Sequence, residues 1–278
     1  MEWGWLQSLI YGLLSGITEF LPISAETHQL LFRELTGLEA PGAVIHLAVS
    51  LGALAALLVG CRKRLKKLRQ ERRIAAVPPK KRKRQPDAAA LMDLRLLRVA
   101  VIPLLLSLAA EWYLSGKLEK LWLAAILAAA NGVIVYLPLH MPQANKESRS
   151  LSALDSLLVG LGGALGAVPG ISRIGALTAV GRARGMDRQY GLEFSLLLLL
   201  PVLLVLCVLD GVAIAAPGAQ AVTAEMLVNA AAACVGAFLA ASVGIQSMRF
   251  LSVKAGFTGF AYYSWGISLV LLILYLIV

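Results

Sequence analysis

Residues 16–28 read GITEFLPISAETH, a turn built on Pro22-Ile23-Ser24 that is flanked by Glu19 on one side and by Glu26 and His28 on the other. On either side the chain is apolar, so that the whole stretch 4–34 is a hydrophobic segment broken at its centre. A second segment, 152–181, is broken in the same way by AVPGISRIG at 167–175. Sliding the chain by 148 positions places Ile23-Ser24 on Ile171-Ser172 and Gly12 on Gly160, with a proline just before each Ile-Ser pair.

The solvent around these segments follows from composition. Of 278 residues 59% are hydrophobic and 15% charged, the mean hydropathy is +0.77, and leucine and alanine runs such as LLLLLPVLLVLCVL recur throughout. Such a chain is an all-α integral membrane protein. Glu2 and the lack of a cationic leader lead us to expect no removable signal peptide. Cys61, Cys207 and Cys234 lie far apart without a CxxC pair or a neighbouring histidine, and read as small core residues.

The net charge of +10 is concentrated: 13 of the 26 lysines and arginines fall in residues 61–87, between two hydrophobic runs. A short basic loop between spans marks the cytoplasmic side, which excludes nucleic acid as the partner and leaves anionic membrane lipid as a contact. Pro78-Pro79 and an absence of apolar periodicity mark the loop as a partly disordered connection.

Counting from that loop, stretches 42–60, 91–111, 118–139, 190–212, 223–246 and 256–278 are each close to the ~20 residues a crossing needs. Six spans then leave 4–34 and 152–181 as re-entrant hairpins entering from opposite faces. Residues 1–139 and 140–278 form the two halves of an inverted repeat, in which irregular backbone is tolerated because it lines a cavity.

The polar groups at the two tips define a candidate site. Arg173, beside Gly170 and Ser172 at a helix start, suits a phosphate, because a guanidinium forks two oxygens and a helix N-terminus offers N–H donors. Glu19 and Glu26 are candidate ligands for a divalent cation, and His28 is a candidate base. The competing expectation is a Glu19–Arg173 ion pair that joins the repeats. His46 and His140, at span ends, show no companions in sequence.

At these residues the chain resembles a known family. EFLPISAETH at 19–28 is similar to the bacterial undecaprenyl-diphosphatase motif E-G-x-T-E-F-L-P-[VI]-S-S-T-G-H, and PGISRIGALT at 169–178 to its partner P-G-x-S-R-S-G-A-T. LGALAALLVGCRK at 51–63 and EFSLLLLLP at 193–201 follow in the same order. The resemblance implies an integral enzyme that removes the terminal phosphate of undecaprenyl diphosphate and recycles the carrier for cell-wall synthesis at the bacterial cell membrane. It also implies dependence on Mg2+ or Ca2+. By the same resemblance His28 and Glu19 are catalytic, Arg173, Ser172 and Gly170 bind phosphate, and Glu19 is a metal ligand; Glu26, which departs from the motif, is the candidate to restore its missing second carboxylate at the metal, and Ser24 the catalytic candidate to replace its missing nucleophile. A polyprenyl diphosphate and membrane lipids are the expected partners, and a second copy of the chain is admitted. The chain departs from the pattern at Ser15 (usually Glu), Ala25 (usually Ser), Ile174 (usually Ser) and Ser264 (usually Arg). Those departures keep open a second reading, a lapsed relative that binds or moves a polyprenyl phosphate.

Overall fold

The computed structural model describes residues 3–114, 120–141, 145–218, 221–254 and 257–277. These residues form α1 Trp5–Glu19, α2 Ala25–Thr36, α3 Ala43–Ala76, α4 Ala88–Leu114, α5 Leu121–Tyr136, α6 Ala153–Ala164, α7 Arg173–Ala183, α8 Arg188–Ala215, α9 Ala224–Lys254 and α10 Thr258–Ile277, with no strand among them.

Four helices, α3, α8, α9 and α10, are long and apolar enough to cross a membrane. They contain the predicted spans 42–60, 190–212 and 223–246 nearly whole, and most of 256–278. The stretch 91–111 lies inside α4, which is long but carries Asp93, Arg95, Arg98 and Glu111. The stretch 118–139 begins outside the described residues, and the helix found there, α5, has 16 residues. Leu106, Leu204, Val208, Leu239, Val243 and Leu276 are exposed on the outer surface. An apolar exterior of this kind is stable against lipid and not against water.

Small residues set how closely the helices approach. A Cβ on Gly12 would lie 2.1 Å from the Ala233 carbonyl oxygen, and one on Gly16 would lie 2.4 Å from that of Ala237, so α1 touches α9 backbone to backbone. Gly160 of α6 meets α4 in the same way, its Cβ position 2.2 Å from the Ala100 carbonyl oxygen. Where lipid competes for every apolar face, such close approach supplies the dispersion contact that holds helices together. Polar ties add to it between α5 and α10: Asn131 Nδ2 donates to Ser264 Oγ at 3.1 Å and Ser268 Oγ donates to the Ala125 carbonyl at 2.7 Å.

Both breaks seen in the sequence are helix starts. Ser24 caps α2, its Oγ accepting from the Thr27 N–H at 3.2 Å, and Ser172 caps α7, its Oγ accepting from the Gly175 N–H at 3.1 Å. Each cap satisfies a first-turn donor that the helix itself cannot.

The basic segment differs from the sequence expectation. Residues 61–76 are not a disordered connection but the continuation of α3, which runs unbroken for 34 residues. The apolar period is present after all, as Cys61, Leu65 and Leu68, of which Cys61 and Leu68 are buried in the core. The chain that follows is tied back to this helix. Arg84 donates to Glu71 at 2.5 and 3.0 Å, the Asp87 N–H donates to Glu71 at 2.9 Å, and Lys67 pairs with Asp87 at 2.8 Å. The Lys67 bond holds the Asp87 carboxyl below the usual carboxylate range. That tie is therefore intact above the ordinary carboxylate pKa and is lost as pH falls through the lowered value. Glu71→Ala is expected to raise the rate of tryptic cleavage at Lys80–Arg84 severalfold without changing the rest of the digestion pattern. An unchanged rate at those bonds would mean that Glu71 does not hold the segment.

Candidate active site

The tips of the two broken segments meet around a small cavity of about 80 Å3. Glu19 ends α1, Ser24 to Glu26 open α2, His46 and Ser50 come from α3, Glu111 from α4, and Ser172 and Arg173 open α7. A wider vestibule of about 340 Å3 adjoins it and shares Glu26, Gln29, His46, Glu111 and Leu206 with the inner cavity.

Arg173 is 9% exposed. Its Nη2 donates to Glu111 and, at 3.3 Å, to the Gly166 carbonyl, while its buried Nε has no partner among the described residues. A guanidinium this deep needs a counter-charge, and Glu111 supplies it. The partner of Arg173 is thus Glu111 and not Glu19, which makes no hydrogen bond or ion pair among the described residues while lining the same cavity. Glu111 was visible in the sequence as an acid within an otherwise apolar run, a feature that carries a functional presumption in a membrane protein.

Ser172 lines the cavity but its polar groups are committed to the scaffold. Its N–H donates to Asn131 Oδ1 at 2.8 Å and its hydroxyl to the Leu21 carbonyl at 3.0 Å, which stitches the second tip to the first. Asn131 completes the stitch by donating to the Pro22 carbonyl at 3.1 Å. Gly170 lies on the vestibule rather than on the inner cavity. Its φ of +106° suits glycine alone, and a Cβ there would sit 2.4 Å from that of Leu127. Ser24 faces the cavity, and its hydroxyl proton has no acceptor among the described residues.

His28 is not brought to the cavity. Its Nδ1 donates to the Ser24 carbonyl at 2.6 Å, its Nε2 accepts from Tyr263 Oη at 2.8 Å, and its ring stacks on that tyrosine with an interplanar angle of 3°. With both nitrogens engaged, the ring steadies the Ser24 turn. His46, by contrast, has a companion that the sequence did not reveal: its Nδ1 lies 2.8 Å from Asp210 Oδ2 of α8. Of the departures from the family pattern, Ser15 accepts from Gln29 Nε2 at 3.0 Å, Ser264 accepts from Asn131, and Ala25 lines the cavity beside Ser24.

The geometry defines a class: a helical membrane protein with a small site between two helix starts, in which a buried arginine shares a cavity with hydroxyls and carboxylates. The family model described as bacitracin resistance protein BacA matches residues 8–270, and the chain belongs to that family. Among curated relatives, the undecaprenyl-diphosphatase of Ruegeria pomeroyi is 31% identical over 266 residues, covering 95% of this chain and 96% of that one. The undecaprenyl-diphosphatase 2 of Streptomyces coelicolor is 31% identical over 217 residues, or 72% of each chain. The undecaprenyl-diphosphatase of Micrococcus luteus is 32% identical over 200 residues, covering 71% of this chain and 70% of that one.

Proposed function

We infer that the chain is a membrane phosphatase that removes the terminal phosphate of undecaprenyl diphosphate and so returns undecaprenyl phosphate to service as the lipid carrier of cell-wall synthesis. Family membership supports the activity, and the observation that carries it into this chain is Arg173, buried with an unspent N–H at a cavity edged by Ser24 and Glu19. The relatives bear the phosphatase name, which does not favour the reading as a lapsed binding or transport protein.

In this reading Arg173 takes the terminal phosphate, with the capped turn of Ser172 and the tight backbone at Gly170 shaping the approach. Ser24 stands at the reacting phosphorus, and His28 fixes the Ser24 turn through its carbonyl. Glu19, Glu26 and Glu111 place three carboxylates against one guanidinium, an arrangement that repels a bare diphosphate. Glu19 and Glu26, which line the same cavity, would hold the Mg2+ or Ca2+ that offsets that repulsion. No cluster of three acid, cysteine or histidine groups that could hold a metal occurs among the described residues. Such an ion supplies charge neutralisation on the phosphate oxygens.

The architecture we propose keeps six crossings and two re-entrant hairpins as an inverted repeat in the bacterial cell membrane, with the basic end of α3 in the cytoplasm. Two matched details support it: Gly12 and Gly160 make the same close approach to a partner helix, and Ser24 and Ser172 make the same cap. Purified protein is expected to release phosphate from undecaprenyl diphosphate, to stop when EDTA is added, and to resume with Mg2+ or Ca2+. Release unaffected by EDTA would remove the cation from this account, and no release at all would remove the phosphatase reading.

A further inference from the structure

His46 and Asp210 stand 164 positions apart, yet α3 and α8 bring them to a 2.8 Å hydrogen bond. A carboxylate acceptor fixes the imidazole proton on Nδ1 and leaves the lone pair on Nε2. That nitrogen has no partner among the described residues, the side chain is 42% exposed, and the residue lines both the inner cavity and the vestibule. His28 offers no such lone pair, because Tyr263 occupies its Nε2.

We propose that His46, oriented by Asp210, is the proton acceptor of phosphoanhydride hydrolysis in this chain. The assignment rests on the phosphatase reading and adds to it. The oxygen of a water, or of the Ser24 hydroxyl, attacks the terminal phosphorus, and its proton passes to His46 Nε2 as the new P–O bond forms. The bond from that phosphorus to the bridging oxygen breaks, and its electron pair leaves on the prenyl phosphate. If Ser24 attacks, His46 first yields that proton to solvent and then accepts one from a water whose oxygen bonds the phosphorus as the bond to Ser24 Oγ breaks; the proton passes on to the Ser24 oxygen, which restores the hydroxyl and releases phosphate. Asp210 stabilises the imidazolium without taking its proton, the division of labour that acid–imidazole pairs serve in other hydrolases. The charged groups around the ring favour this. Glu19 of α1, Glu26 of α2, Glu111 of α4 and Asp210 of α8 outnumber Arg173 of α7 and Arg33 of α2.

The test is steady-state phosphate release from undecaprenyl diphosphate by detergent-purified variants, across the pH range in which imidazole titrates. His46→Gln is expected to lower kcat by about 10²–10⁴-fold with KM changed little, and its residual rate should lack the acidic limb of the parent profile. His46→Ala should regain part of the rate with added imidazole. Asp210→Asn should lower kcat less and move the acidic limb to lower pH, because losing the carboxylate disfavours the protonated ring. His28→Gln should slow the reaction while keeping the limb, and His140→Gln should match the parent. Each variant is first required to elute as the parent does in gel filtration.

The proposal is overturned if His46→Gln keeps the parental kcat and limb. It is also overturned if the loss comes with an unchanged limb and no imidazole rescue, the mark of a structural role, or if the limb disappears with His28→Gln instead. A parent that releases no phosphate overturns the phosphatase reading itself, and this assignment with it.

Discussion

Arg173→Ala is expected to reduce phosphate release by about 10²–10³-fold, the range found when a single preorganised donor to a developing oxyanion is removed. The structure gives two separable reasons. One is binding: Glu111 and Gly166 take Nη2, while the buried Nε is left without a partner and can donate to a phosphate oxygen. The other is stability, because the change strands Glu111 beside a cavity with no counter-charge, and breaking a buried pair from one side costs about 3–5 kcal/mol. Combining Arg173→Met with Glu111→Met removes both charges together and should restore the melting temperature without restoring catalysis. Arg173→Lys should recover part of the activity, since an ammonium keeps the charge but loses the fork. Parental phosphate release by Arg173→Ala would place the anion site elsewhere.

The second large effect is structural. Gly12→Leu and Gly160→Leu each put a side chain where the first carbon alone would lie 2.1 Å or 2.2 Å from a carbonyl oxygen of the facing helix. Backbone cannot yield as a side-chain tip can, so α1 must part from α9, or α6 from α4. Overpacking of softer neighbours costs about 1–3 kcal/mol, and here the cost exceeds that. Both variants are expected to lose most of the monodisperse protein recovered after detergent extraction, whereas Gly211→Leu, at a position with nothing within 4 Å of its Cβ, should not. Recovery of Gly12→Leu at the parental level would mean that the α1–α9 contact is dispensable.

The membrane class, most of the helices and half of the site could be read without coordinates, because each depends on local signals. Hydropathy reports spans directly, and the Pro-Ile-Ser and Pro-Gly-Ile-Ser breaks announce capped helix starts. Arg173 stood out because an arginine beside small residues in an apolar segment has few purposes. What escaped depends on distance in the chain. His46 and Asp210 each look like an isolated polar group at the end of a span until α3 and α8 come together. Glu111 was hidden by being absorbed into the apolar stretch it ends, although its charge was the signal. For His28 the motif fixes the place in the sequence but not the direction of the ring, which is set by its hydrogen bond to Tyr263 of α10.

The basic segment shows a misjudged physical balance. The disorder expectation rested on Pro78-Pro79 and a missing apolar period, yet lysine and arginine are good helix formers, and CRKRLKKLRQERRIAA contains no glycine or proline. Repulsion among the cations is offset at Glu71, Asp87 and Asp93, the last of which takes Arg64 and the Tyr190 hydroxyl, the latter at 2.8 Å. One acid within the helix and two beyond it thus take up part of its charge.

The pairing of Arg173 with Glu111 also orders events in time. The two partners are separated by 62 residues, and at a synthesis rate of about 5–20 residues per second Glu111 leaves the ribosome about 3–12 s before its arginine does. During that interval α4 is a segment with an uncompensated acid, which water or a proton must satisfy. The helix therefore cannot reach its final packing as it emerges. It stays wet or neutralised until the second tip brings Arg173 to it.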